Sequence, residues 1–192
     1  MTTPAQPTLE PGRVYRTRDL AAWGANAPRL AKRLVRDGAL LPLAHGLFVY
    51  PKRGRFGVVP PTDEEVMRAF LDGGRFLFTG PERWNALGLG TTAVFASTLV
   101  YNTKRSGSFE LGGRRFLLRR VAFPDQPTPE WYVVDLLENA ERAGASRADI
   151  ALALRRAVRA GAFEHERLRA MARQYGTRAT QATIAECLKA DA

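Results

Sequence analysis

Between Thr17 and Tyr50 the order of helix stops, helix starts and turn residues leaves few folds open. A short helix is predicted from Thr17 or Arg18 through Asp19-Leu20-Ala21-Ala22-Trp23. Gly24 ends it, since glycine commonly takes the left-handed position after a helix. Asn26 is a good N-cap and Pro28 suits a first helical turn, so a second helix is predicted from about Ala27 to Asp37, ending at Gly38. Leu40-Leu41-Pro42-Leu43, a turn at Ala44-His45-Gly46, and Leu47-Phe48-Val49-Tyr50 then read as a short β-hairpin. Helix, tight turn, helix and hairpin follow one another as in a winged helix-turn-helix.

The rest of the chain divides around this module. Residues 1–12, rich in Thr and Pro, read as a flexible tail, 13–51 as the winged helix-turn-helix, and 52–61, with Pro, Gly and Arg, as a linker. Residues 62–192 read as a mixed α/β domain with a C-terminal helical segment, giving an α+β chain overall. Thr62-Asp63-Glu64-Glu65 is a capping box that opens a helix ending before Gly73-Gly74. Strands are predicted at Arg75–Thr79 and Thr98–Asn102, with a short helix at Pro81–Leu87 between them. Ser108–Leu111, Gly112-Gly113 and Arg115–Leu118 form a hairpin signal, because both turn residues tolerate positive φ. Helices follow from Thr128 to near Gly144, from Ser146 to Gly161, onward to Tyr175, and from about Thr180 to Lys189. Val134, Leu137, Leu152 and Leu168 fall on their apolar faces, Phe109, Phe116 and Leu118 read as core, and Arg115, Arg119 and Arg120 as surface.

Charge singles out the first third. The chain of 192 residues carries 29 Lys+Arg against 19 Asp+Glu, a net of +10. Residues 1–61 hold ten basic groups and three acids (Glu10, Asp19 and Asp37), a net of +7, and the remaining 131 residues only +3. An arginine-rich coding bias raises Arg everywhere but does not strip acids from one segment, so an anion-binding module is indicated. Arg29, Lys32, Arg33 and Arg36 lie at i, i+3, i+4 and i+7, on one face of the second helix, with Leu30, Ala31, Leu34 and Val35 on the other. A solvated surface normally sets acids among its bases for i,i+4 pairing, and here only Asp37 follows. Such a helix fits the DNA major groove, where Arg pairs with guanine O6 and N7. Asn26 begins it, Arg16 and Arg18 stand where they would clamp a phosphate, and His45 sits at the hairpin tip, where a wing approaches the backbone; a lone turn histidine is more often incidental. Six neutralised phosphates imply a log–log salt slope of about −5.

Other chemistry finds little support. The single cysteine, Cys187, excludes an intrachain disulfide and reads as a small buried hydrophobe. His45 and His165 are far apart, no His/Cys spacing suggests zinc, and no Gly-x-Ser-x-Gly elbow occurs. A nuclease needs clustered carboxylates, and Glu110, near the strand Arg115–Arg120, is the one candidate; that strand supplies arginines instead of a second acid. The chain therefore reads as a non-enzyme with no cofactor and no metal. Thr79–Asn85 and Gly88–Thr92 lack a Walker pattern and read as tight loops. Tyr101-Asn102-Thr103-Lys104-Arg105-Ser106-Gly107 reads as a polar strand end or turn. Arg83, Trp84, Tyr101, Lys104 and Arg105 are the candidates for contact with a partner. No apolar run approaches the ~20 residues of a membrane span, and the N-terminus has no signal-peptide pattern, so a cytoplasmic protein is expected.

Arg16-Thr17-Arg18-Asp19-Leu20, Pro28 through Gly38 and Gly46-Leu47-Phe48-Val49-Tyr50-Pro51 resemble the N-terminal winged helix of AbiEi-type antitoxins, from bacterial type IV toxin–antitoxin and abortive-infection (phage-defence) systems. Phe78-Thr79-Gly80-Pro81 through Thr92, and Val100 through Arg105, are similar to that family's C-terminal region. The resemblance spans roughly residues 13–140. It implies a repressor whose winged helix binds inverted repeats in its own promoter, with Arg29, Lys32, Arg33 and Arg36 on the recognition helix. It also implies a C-terminal domain that counteracts a cognate nucleotidyltransferase toxin. The toxin's own Gly-Ser…Asp-x-Asp signature is absent, and the C-terminal part is short beside larger members. A solitary winged-helix regulator, or an interaction module without antitoxin activity, is the alternative.

Overall fold

The computed structural model describes residues 8–189 and is mixed α+β. It divides into two compact units, Met1–Phe76 with Ser106–Phe116, and Leu77–Arg105 with Leu117–Ala192. Residues 1–7 of the expected tail lie outside the described residues; of the rest, Leu9 packs on the first unit's core and the Glu10 N–H donates to the Tyr15 hydroxyl at 2.8 Å.

The first unit begins with β1 (Val14–Arg16), a 3-10 helix (Thr17–Trp23), α1 (Ala27–Arg36), β2 (Leu41–Ala44) and β3 (Leu47–Val49). The strands form a three-stranded sheet in the order β1-β3-β2, both pairs antiparallel, with Val14 opposite Val49 and Leu41 opposite Val49. Tyr15, Leu20, Ala27, Leu30, Ala31 and Leu40 form the core. The predicted first helix is 3-10 rather than α. Leu20 is its one buried side chain, too little apolar surface for an amphipathic α-helical stripe. Gly24, expected to be left-handed, is extended at φ 177°; Gly38, after α1, is the left-handed glycine at φ 72°.

The segment expected as a linker forms a second hairpin, β4 (Lys52–Gly54) and β5 (Gly57–Val59), in which Lys52 faces Val59 and Arg53 faces Val58. Gly57, at φ 120°, lets the chain reverse across Arg55-Phe56, and the two valines favour strand. The capping box at Thr62 opens α2 (Asp63–Phe70), which belongs to this unit rather than to the C-terminal body. So does the hairpin of β8 (Gly107–Leu111) with the start of β9 (Arg114–Arg120). Its turn needs glycine: Gly112 has φ 58°, donates its N–H to the Leu43 carbonyl at 2.8 Å, and would set an added Cβ 2.9 Å from Leu43 Cδ2. Phe109 is half-buried and meets Phe70 edge-on at 4.9 Å.

The second unit holds β6 (Phe76–Thr79) from Leu77 on, α3 (Pro81–Asn85), β7 (Thr98–Asn102) and the rest of β9, the strands following one another in the order β6-β7-β9. Four helices follow: α4 (Pro129–Glu138), α5 (Arg147–Arg159), α6 (His165–Tyr175) and α7 (Arg178–Lys189). Trp84, Trp131, Val134, Leu137, Leu154 and Leu168 are in its core, and Cys187 is buried there. Leu152 is not: it is 49% exposed. Ile150, Leu154 and Val158 carry the buried face of α5, and Leu152 stands about 200° round the helix from Ile150. α4 stops at Glu138, short of Gly144, because the Asn139 side chain caps it by donating to the Asp135 carbonyl at 2.8 Å.

Candidate nucleic-acid interface

α1 is placed by its ends and its back. Asn26 Oδ1 accepts the Arg29 N–H at 3.0 Å, the N-cap bond. At the other end the Asp37 N–H reaches the Arg33 carbonyl at 2.9 Å before Gly38 reverses the chain. Ala27, Leu30 and Ala31 are buried, and Leu34 and Val35 pack half-buried beside them. Turned the other way, Arg29, Lys32, Arg33 and Arg36 are all exposed. They line a groove of about 550 Å³ with Asn26, Leu30, Gly24 and Trp23. Trp23 is fixed edge-on to Tyr15, ring centres 6.0 Å apart.

The cations of the first unit fall into two groups. No carboxylate lies within 4 Å of Arg29, Lys32 or Arg33 among the described residues, whereas Arg36 Nε lies 3.2 Å from Asp37 Oδ1. Arg33 and Arg36, in the last turn, suit the negative end of the helix dipole; the first turn has no acid and carries Arg29 instead, which the dipole disfavours. Arg16 and Arg18, expected as a phosphate clamp, are held by a carboxylate. Arg16 Nη1 is 3.0 Å from Asp72 Oδ1, Arg18 Nη2 bonds the same oxygen, and Arg18 Nε is 3.9 Å from Asp19. The sequence gives no hint of this, since Asp72 is 54 residues beyond Arg18. His45 is exposed in the turn between β2 and β3.

The partner candidates of the second unit separate differently. Arg83, Lys104 and Arg105 are exposed. Trp84 and Tyr101, proposed for partner contact, are not available: they are 0% and 5% exposed. Both serve a buried carboxylate. Asp135 accepts from Trp84 Nε1 at 2.8 Å, the Tyr101 hydroxyl at 2.6 Å, Asn139 Nδ2 at 3.1 Å and the Thr79 hydroxyl. Arg119, expected at the surface, is half-buried, donates to Asn139 Oδ1 at 3.1 Å and has its Cζ 5.9 Å from the Tyr101 ring centre. Burial pushes the Asp135 carboxyl above the usual carboxylate range, against the bonds from Thr79, Tyr101 and Trp84. Burial and the Asp135 charge raise Tyr101. These four donors make the group a tie between strands and helix. One signal in the sequence points to it: an acid inside Val133-Val134-Asp135-Leu136-Leu137, with Asn139 one turn on.

Asn102, fully buried, builds the loop after β7. Its Oδ1 accepts the Lys104 and Arg105 N–H groups at 2.8 Å each, and its Nδ2 donates to the Arg105 carbonyl at 2.9 Å. Among the described residues no group of three or more His, Cys, Asp or Glu could hold a metal ion, and no helix is long and apolar enough to cross a membrane.

No protein-family model matches the chain, and no curated protein matches it significantly.

Proposed function

We propose that the protein is a DNA-binding transcriptional repressor whose α1 occupies the major groove of a double-stranded operator. The observation that carries this reading is the row of Arg29, Lys32 and Arg33, exposed on one flank of a core-anchored helix with no carboxylate within 4 Å of them among the described residues. Strand, 3-10 helix, α1 and the β2–β3 hairpin take the roles of a winged helix-turn-helix, with α1 as recognition helix. On the AbiEi-type resemblance the operator is an inverted repeat in the protein's own promoter, and the second unit opposes a nucleotidyltransferase toxin in the cytoplasm.

Gel-shift and footprinting on the DNA upstream of the gene test the first part. Arg33→Glu abolishes the footprint while leaving the thermal melt in place, because Arg33 touches no carboxylate and supports no core. A wild-type protein that leaves this DNA unprotected at low salt refutes the reading. Co-expression with the neighbouring nucleotidyltransferase tests the second part: growth is rescued by the wild type and by Arg33→Glu alike, since antitoxicity is assigned to the other unit.

A further inference from the structure

The β4–β5 hairpin combines positive charge with exposed apolar surface. Phe56, at the tip of β4–β5, is 96% exposed, and Val58 and Val59 are 50% and 43% exposed. Lys52, Arg53 and Arg55 lie on the same hairpin, all exposed and none with a carboxylate within 4 Å among the described residues. The sequence has no acid at all between Asp37 and Asp63. The Arg55 Cζ stands 5.7 Å from the centre of the Phe56 ring, so guanidinium and aromatic leave the tip together.

Single exposed apolar residues are ordinary, but here three apolar and three cationic side chains share six paired or tip positions. Lys52 faces Val59 on one side of the ribbon and Arg53 faces Val58 on the other, so both sides are cationic as well as apolar. An acidic, grooved surface with apolar walls suits all six, and duplex DNA has that chemistry. The arms are three residues each, about 10 Å long, and the tip is two residues wide. A tip that narrow, bearing arginine and a phenylalanine, suits the minor groove, where apolar wedges part base steps and arginine follows the negative potential.

We propose that the β4–β5 hairpin is a second DNA contact, entering the minor groove with Phe56 as an apolar wedge and setting Lys52, Arg53 and Arg55 on the flanking phosphates. This deepens the repressor reading and rests on it. The test uses the full chain and an end-labelled duplex of about 30 base pairs from upstream of the gene, read for affinity across salt and for bending by energy transfer between the ends. Lys52→Gln/Arg53→Gln/Arg55→Gln makes the log–log salt slope shallower by about 2.7, three phosphates at about 0.9 each. Phe56→Ala removes a bend of ~20–90°, and Phe56→Leu, still an apolar wedge, retains it. All these side chains are exposed, so thermal melts match the wild type. Hairpin variants with wild-type slope and bend, beside an Arg29→Gln/Lys32→Gln/Arg33→Gln variant that no longer binds, overturn the proposal and spare the repressor reading. The reverse pattern keeps the hairpin contact and overturns the role of α1. A wild type that binds no duplex at low salt overturns both, and leaves the hairpin as a surface for an acidic protein.

Discussion

Asp72 holds two arginines away from any ligand, and removing its charge measures what they would do without it. Arg18 bonds one oxygen of this carboxylate, and Arg16 Nη1 lies 3.0 Å from the same oxygen as an ion pair. Asp72→Asn is the conservative change, because the residue sits at φ 53°, a left-handed conformation that asparagine tolerates. The ion pairs are partly exposed, Arg16 at 28% and Arg18 at 58% of side-chain surface, so their loss costs about 0.2–1 kcal/mol each and the unit stays folded. On DNA the effect runs the other way. With Arg16 and Arg18 engaged by Asp72 and Arg36 by Asp37, α1 contributes three phosphate-neutralising groups and a slope of about −2.7, not the −5 that six imply. Asp72→Asn releases two cations and steepens whatever slope the wild type has by about 1.8. Between 50 and 200 mM salt that is an extra loss of about twelvefold in affinity, with tighter binding at the low end. Binding titrations at several salt concentrations read this directly, and adding Arg18→Gln returns about half of the change. An unchanged slope in a folded Asp72→Asn protein refutes the clamp geometry and reduces the site to α1 and the hairpin.

Two predictions concern the second unit. Asp135→Ala leaves the buried Trp84 N–H and Tyr101 hydroxyl without an acceptor, at about 1–3 kcal/mol each, and lowers the urea midpoint accordingly. Because burial raises the Asp135 carboxyl, the wild type loses stability relative to Asp135→Asn as pH rises above the ordinary aspartate range; a difference that moves the other way shows that the four donors hold the charge. Glu138 behaves oppositely. Its partial burial raises the carboxyl, but bonds from Thr180 and Thr177 and the Arg147 charge outweigh this and hold it low. The stability it adds is complete above the ordinary glutamate range and is lost as pH falls through the lowered value. Glu138→Gln therefore flattens the acid limb of a denaturation–pH profile, and an unchanged limb counts against the contact with Thr177.

Local chemistry was legible where it decides local structure. Asn26, Pro28 and Gly38 bound α1 as their capping roles require, the alternation around Gly112-Gly113 makes the hairpin, and the four cations of α1 share the flank that their spacing assigns. What escaped was set by partners remote in sequence. Nothing near Arg16 or Arg18 announces Asp72, and nothing near Trp84 or Tyr101 announces Asp135, 51 and 34 residues away. An aromatic with a polar handle reads equally well as an interface residue or as a donor to a buried acid. The hairpin at 52–59 escaped because Pro, Gly and Arg are loop residues by composition, while two valines and one left-handed glycine suffice for a ribbon.

Several arginines on the other helices pair with a nearby carboxylate. Arg68 pairs with Glu64 on α2, Arg169 pairs with Glu166 on α6, Arg167 pairs with Glu164 at the start of α6, and Arg155 reaches Glu186 from α5. These are the i,i+3, i,i+4 and interhelix pairs by which an ordinary surface neutralises itself. On α1 the sites three and four residues from Arg29, Lys32 and Arg33 hold other cations, Ala25, Asn26, Pro28, Leu30 or Val35, apart from Asp37, whose carboxylate lies by Arg36. Clustered like charge costs stability, and Arg29 sits at the end of the helix where the dipole disfavours it. On the repressor reading proposed above, Arg29, Lys32 and Arg33 lack such a partner because they meet the phosphates of DNA.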